Sequence, residues 1–187
     1  MNPISGMKLG VLLVLLAAVL MITGCTQPSG EVTPPPTTTP APTETISPAI
    51  ETQKAELAAL AASFASEIDG EMLATAGDEG PNSTAYETVL NQLKAFHATD
   101  SRLAYVYILQ QQDGTARFIM VSGYDLPSSE IFETEYEDGP AELEAPVTEP
   151  IGVGPYTDPF GAFISGIAPL DMETDGAVYL LGVDMNV

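Results

Sequence analysis

The stretch RLAYVYILQQQDGTARFIMV, residues 102–121, decides how this chain folds. Residues 102–110 and 117–121 are rich in β-branched and aromatic side chains, which suit a pleated, half-buried surface. Between them stands Asp113-Gly114, the strongest short hairpin signal, because both central residues of a tight primed turn need positive φ. The design recurs near the C-terminus. Ala162–Ala168 and Ala177–Val183 read as two further strands, joined across Asp175-Gly176. Hairpins imply antiparallel pairing.

Upstream, the period changes from two to 3.6. Ser47 stands where a helix cap is needed and Pro48 fits the first helical position. Leu57, Leu60, Ala61, Phe64, Ile68 and Met72 then recur at spacings of three and four, so one long helix is expected up to the breaker cluster Gly77-Asp78-Glu79-Gly80-Pro81. A second helix starts near Asn82 or Ser83, buries Tyr86, Val89, Leu90, Leu93 and Phe96, and ends around Thr99-Asp100. Between Leu126 and Thr157 the reading is mainly loop, with a helical turn near Ser128–Phe132. Helices preceding antiparallel strands give an α+β layer arrangement over residues 49–187, enough chain for a core.

The N-terminal third reads differently. Lys8 precedes fourteen uncharged residues, Leu9–Ile22, and then Thr23-Gly24-Cys25. That length suits the apolar core of a secretory signal and falls short of the roughly 18–20 residues of a comfortable membrane span. An uncleaved anchor helix is the alternative. Ile22-Thr23-Gly24-Cys25 resembles a lipobox, which implies a signal peptide over residues 1–24 and Cys25 as the lipidated anchor of the mature chain. Either reading places the remainder on the outer face of the membrane. As the sole cysteine, Cys25 leaves no disulfide framework and no thiol metal site. Residues 25–48 carry a run of Pro, Thr and Ser with few apolar side chains, the composition of a disordered tether. Extended at about 3.1 Å per residue it reaches roughly 70 Å.

Charge excludes several functions. The chain has 26 acidic side chains against five Lys and Arg and a net charge of −21, and loss of Lys8 with the signal makes it more negative. Nucleic acid is effectively ruled out, since phosphate binding needs clustered Lys and Arg. Eight acids fall between Glu130 and Glu149, without the alternating spacing of a calcium loop, so no metal is expected. No nucleophile elbow, phosphate loop, zinc helix or cofactor motif occurs, and His97, the single histidine, sits at a helix end. A non-enzyme is the reading, with no cofactor. Asn82-Ser83-Thr84 is a glycosylation sequon at an exposed helix start.

The order of features resembles the Cache family, PAS-like extracytoplasmic sensor domains of receptors, kinases and cyclases. The likeness covers about Ile50–Val187 and is most specific in YTDPFGAFISGIAPL, residues 156–170, and in the closing Asp175-Gly…Leu181-Gly-Val-Asp184. It implies a long N-terminal helix and a second helix packed on a twisted antiparallel sheet, with a small pocket on one face. In relatives that hold an amino group, a tyrosine and an aspartate 28 positions on grip it. Tyr156 and Asp184 match those positions, and the match implies an amine-containing ligand. The Arg and Trp-Tyr set that holds a carboxylate is absent: the chain has no Trp and carries Phe160 and Phe163 around Gly161. Ser122 stands where many relatives have aspartate.

Tyr107 joins Tyr156 and Asp184 as a candidate ligand contact; of Tyr105 and Tyr107, only one is expected to face the pocket. Plainer roles stay open: Asp184 as a strand-end acceptor, Tyr156 as a loop anchor. Two functions follow. One is a membrane-tethered sensor domain for a small organic ligand, without a cytoplasmic output of its own and therefore working with a membrane-bound signalling partner. The other is an envelope scaffold with no small ligand.

Overall fold

Asp113 and Gly114 take φ of 52° and 79°, the double positive turn that their sequence demands, and they join β1 (Leu103–Gln112) to β2 (Thr115–Ser122). This computed structural model describes residues 47–172 and 176–187. The signal segment 1–24 with Lys8 and Cys25, the tether as far as residue 46, and Asp175 of the second hairpin signal lie outside the described residues. Among the described residues, no helix is long and apolar enough to cross a membrane.

Three more strands, β3 (Ile151–Asp158), β4 (Gly161–Pro169) and β5 (Val178–Asn186), complete one antiparallel sheet in the order β2-β1-β5-β4-β3. The C-terminal strand is central, so the chain must travel from one sheet edge at β2 to the other at β3. Residues 123–150 make that crossing. β3 corrects the loop reading of this region. Gly152, Gly154 and Pro155 read as strand breakers, yet they sit on an edge strand with a register shift between Val153 and Tyr156, where such residues are tolerated.

The helices cover one face. α1 (Pro48–Ala65) lies on β3, β4 and β5; α3 (Thr84–His97) lies on β1 and β2, with α2 (Gly70–Glu79) beside it. The single long helix expected up to Gly77 is two helices. The chain stops at Ser66 and restarts where the Asp69 carboxylate accepts from the Met72 amide at 3.0 Å. Met72 is consequently exposed rather than on the buried stripe. Ser47 occupies the cap position of α1 without a side-chain cap bond, whereas Ser83 caps α3 through the Tyr86 amide at 3.1 Å. Leu57, Ala61, Phe64, Tyr86, Val89, Leu93 and Phe96 pack against Val106, Ile108, Ile164, Leu181 and Val183 of the sheet. Phe64 and Phe96 stack at 4.4 Å between ring centroids. α1 comes unusually near the sheet, because a Cβ on Gly166 or Gly152 would collide with the helix backbone at Leu57 or Lys54.

The opposite face carries alternate residues of the same strands: Tyr105, Tyr107, Leu109 and Gln111 of β1, Phe163, Ser165 and Ile167 of β4, Leu180 and Asp184 of β5. The crossing segment closes over it, with a short helix α4 (Ser128–Ile131) and a 3-10 turn at Ala141–Glu144. Two devices pin it. Residues 133–136 bond along β2 (Phe118 to the Thr134 carbonyl at 2.9 Å, Tyr136 to the Ala116 carbonyl at 2.9 Å). Buried Gln111 donates to the Leu143 and Ala145 carbonyls, both at 2.7 Å, and accepts from the Val147 amide at 3.1 Å. A glutamine whose amide is satisfied at both ends is a strong local constraint.

Candidate functional site

Under the crossing segment lies a cavity of about 260 Å³. Its wall combines Tyr105 and Tyr107 of β1, Phe118 and Val121 of β2, Asp184 of β5, and Tyr124, Leu126, Glu130, Ile131, Thr134, Tyr136 and Phe160 from the loops and α4. Leu126 and Phe160 are partly exposed, at 46% and 37%, and mark its mouth. Both Tyr105 and Tyr107 face the cavity, correcting the expectation that only one would. Residues two apart on a strand share a face; it is immediate neighbours that diverge.

Asp184 is the polar centre of the site, and only 4% exposed. It lies within β5, paired with Ser165 of β4 and Tyr105 of β1. The Tyr107 hydroxyl donates to its Oδ1 at 3.0 Å. Burial pushes the Asp184 carboxyl up to about 7, against the lowering effect of the Ser165 and Tyr107 hydroxyls; the negative charge of Asp158 pushes the same way as burial. Among the described residues, the two ion pairs, Lys54–Glu51 and Arg102–Asp100, do not involve Asp184, and no Lys, Arg or His lies on the cavity wall.

A glycine makes the Tyr107–Asp184 contact possible. Tyr107 stands opposite Gly182 across the β1–β5 pair, and a Cβ on Gly182 would collide with Cε2 and Cζ of the Tyr107 ring. The ring therefore lies over the bare backbone of β5 and carries its hydroxyl to Asp184. Burial, then the Asp184 charge, holds the Tyr107 phenol well above its ordinary range, so it stays a donor.

Tyr156 is on β3 and stands behind the wall. Its hydroxyl pairs with the Ser165 hydroxyl at 2.9 Å and approaches the Tyr136 hydroxyl at 3.5 Å. Tyr136 in turn donates to Asp158 Oδ2 in a short bond. Burial pushes Tyr156 up to about 12 and raises Tyr136 as well. A chain of neutral hydroxyls thus connects the two aspartates, and Tyr156 reaches Asp184 through Ser165. Ser122 faces the helices instead: its hydroxyl meets His97 Nδ1 at 3.2 Å, while His97 Nε2 meets the Leu103 carbonyl at 3.1 Å at the end of α3. Asn82 is exposed in the turn before α3.

Sequence reasoning missed most of the wall. Tyr105 was recoverable from its spacing to Tyr107. Tyr124, Ile131 and Tyr136 belong to the crossing segment, where no periodicity marks an inward side.

No family model matches the chain, and no curated protein does. Among solved structures, the chain is similar to the sensory domain of the Campylobacter jejuni chemoreceptor Tlp3 with isoleucine bound. There identity is 16%, coverage 75% of this chain and 64% of that one, and the TM-score 0.31. The same receptor's ligand-binding domain with L-valine gives 16% identity, 75% and 64% coverage and a TM-score of 0.31; with 4-methylisoleucine it gives 15%, 76% and 62%, and 0.29. The chain spans less than two thirds of the length of these chains.

Proposed function

We propose that this chain is an extracytoplasmic, membrane-tethered sensor domain that binds a small organic cation, an amine, in the cavity over Asp184. The observation that carries the reading is a buried carboxylate on the wall of an aromatic cavity with, among the described residues, no cationic side chain on that wall. A carboxylate in that position is costly to ionise alone, and a ligand bearing positive charge supplies the missing partner. Tyr107 orients the carboxylate, Asp184 meets the ligand's charge, and Tyr156 acts through Ser165. The domain binds rather than catalyses. Calorimetry with a panel of small amines tests it. Wild-type protein binds at least one of them, and Asp184→Asn loses about 1.5–3 kcal/mol, roughly tenfold to a hundredfold in affinity. Equal binding by the variant, or none by the wild type, defeats the reading.

The proposal includes export. Residues 1–24 are the signal, Cys25 the lipid anchor, residues 25–48 the tether and residues 49–187 the single sensor domain, with Asn82 as the glycosylation position. Its output passes through a membrane-bound partner. Native protein should partition into the detergent phase, and Cys25→Ser should release or mislocalise it. Recovery of a mature chain that retains residues 1–24 with Cys25 unmodified would leave a plain helical anchor instead.

A further inference from the structure

The rings of the cavity wall form a connected series of contacts. Tyr105 meets Tyr124 at 6.0 Å and 76°, Tyr124 meets Phe160 at 5.3 Å and 83°, and Phe160 meets Phe118 at 5.8 Å and 79°. Phe118 then meets Tyr107 at 6.0 Å and 71°, and Tyr136 at 4.7 Å and 43°. Rings turned this far from their neighbours cannot form one flat stack. They and Asp184 line the same cavity.

Resting on the reading that this cavity takes an organic cation, we infer that its occupant is an N-alkylated ammonium, tertiary or quaternary, caged by Tyr105, Tyr107, Phe118, Tyr124, Tyr136 and Phe160 with its charge against Asp184. Three features separate this class from a primary amine or a zwitterionic amino acid. The faces of tyrosine and phenylalanine attract a cation within about 6 Å of the ring centroid, and an alkylated ammonium spreads its charge over carbon that packs on aromatic surface. A primary ammonium brings three N–H donors, each of which needs an acceptor. Here Asp184 Oδ1 already accepts from Tyr107, the other acceptors are Glu130, Thr134 and the tyrosine hydroxyls spread along the wall, and Phe118, Val121, Leu126, Ile131 and Phe160 offer only carbon. An alkylated nitrogen leaves no donor, or one, to satisfy, and so avoids the cost of an unpaired N–H in an apolar site. A zwitterion fails differently. Its carboxylate would meet Asp184 and Glu130 on the wall, with no Lys, Arg or His there among the described residues to hold it.

Calorimetry at pH 8 with butyltrimethylammonium, butylamine and norleucine, which share a straight alkyl chain, tests this class. Butyltrimethylammonium should bind at least tenfold tighter than butylamine, and norleucine weakest of all. Equal or tighter binding by butylamine overturns the alkylation inference while leaving the cation reading in place. Binding by norleucine alone, or by none of the three, overturns both. Phe160→Leu provides the second arm, since Phe160 is partly exposed at the mouth and leucine keeps an apolar side chain without a π face. It should weaken butyltrimethylammonium about three- to tenfold and leave urea stability unchanged. Undiminished affinity would overturn the cage.

Discussion

Asp184→Asn should make the ligand-free protein more stable at pH 8, by about 3 kcal/mol, although it removes the group proposed to hold the ligand. The carboxyl titrates near 3.9 in the unfolded chain and at about 7 in the folded one, chiefly because it is buried. Between those values the folded state binds the proton that the unfolded state has lost. Stability therefore falls as pH rises from about 4 to about 7, and stays low above. Three pH units at about 1.4 kcal/mol each give a penalty near 4 kcal/mol. Asparagine does not titrate and escapes it, less a share for an amide N–H with imperfect partners. The groups facing Asp184 are phenols, a hydroxyl and two carboxylates. Tyr105 and Tyr107 of β1, Tyr156 of β3 and Tyr136 of the crossing segment are phenols, and burial raises all four. Ser165 of β4 does not titrate, and the remaining carboxylates are Asp158 and Glu130. Urea unfolding of wild type and variant at pH 4, 6 and 8 measures the difference, in which the other acids cancel. A gain that is the same at pH 4 and pH 8, or a variant weaker at pH 8, would show that the carboxylate is not held neutral by burial.

That result would explain why a protein keeps such a residue. A stable apo-domain would place an apolar or amide side chain at residue 184, since a buried charge without a cation costs more than it returns. Retaining the aspartate makes sense where something else completes the pair.

How much of this was legible in the sequence depended on whether a residue's neighbours were local. The β1–β2 hairpin was legible because Asp113-Gly114 dictates its own turn and the flanking aromatic and β-branched runs dictate strands. β3 was hidden, since Gly152, Gly154 and Pro155 are breakers by local propensity and only the sheet edge makes them acceptable. The break between α1 and α2 was written in Asp69, a cap residue, and was masked by apolar spacing that runs on to Met72. At the site, Tyr107 and Asp184 are neighbours across adjacent strands, and the hydrogen bond between them is what the structure adds. The aromatic wall from Tyr124 to Tyr136 depends on the chain crossing from one sheet edge to the other, a property of topology that no local window contains.

Gly182→Ala should destabilise the domain by about 3 kcal/mol and displace Tyr107 from Asp184, at a position whose backbone any residue could adopt. Gly182 is not among the positive-φ glycines, so the cost is one of space alone. The methyl group would collide with Cε2 and Cζ of the Tyr107 ring and crowd the hydroxyl. Tyr107 is 2% exposed and packed against Phe118, so the room left to its ring is the cavity itself, and turning into it breaks the bond to Asp184. Overpacking a filled core in this way costs about 1–3 kcal/mol, and the lost hydrogen bond to a buried carboxyl adds about 1 kcal/mol or more. The attribution can be checked by a double-mutant cycle. Tyr107→Ala is itself costly, leaving a cavity worth about 3–5 kcal/mol, but it removes the ring that the alanine methyl would strike. On that background Gly182→Ala should cost less than about 1 kcal/mol, giving a coupling of about 2 kcal/mol between the two positions, well outside the additivity of independent sites. Equal costs on both backgrounds would mean that Gly182 serves the strand and not the tyrosine. A coupling of the expected size would identify the bare backbone of β5 as the feature that lets a phenol lie across the sheet and reach the buried aspartate.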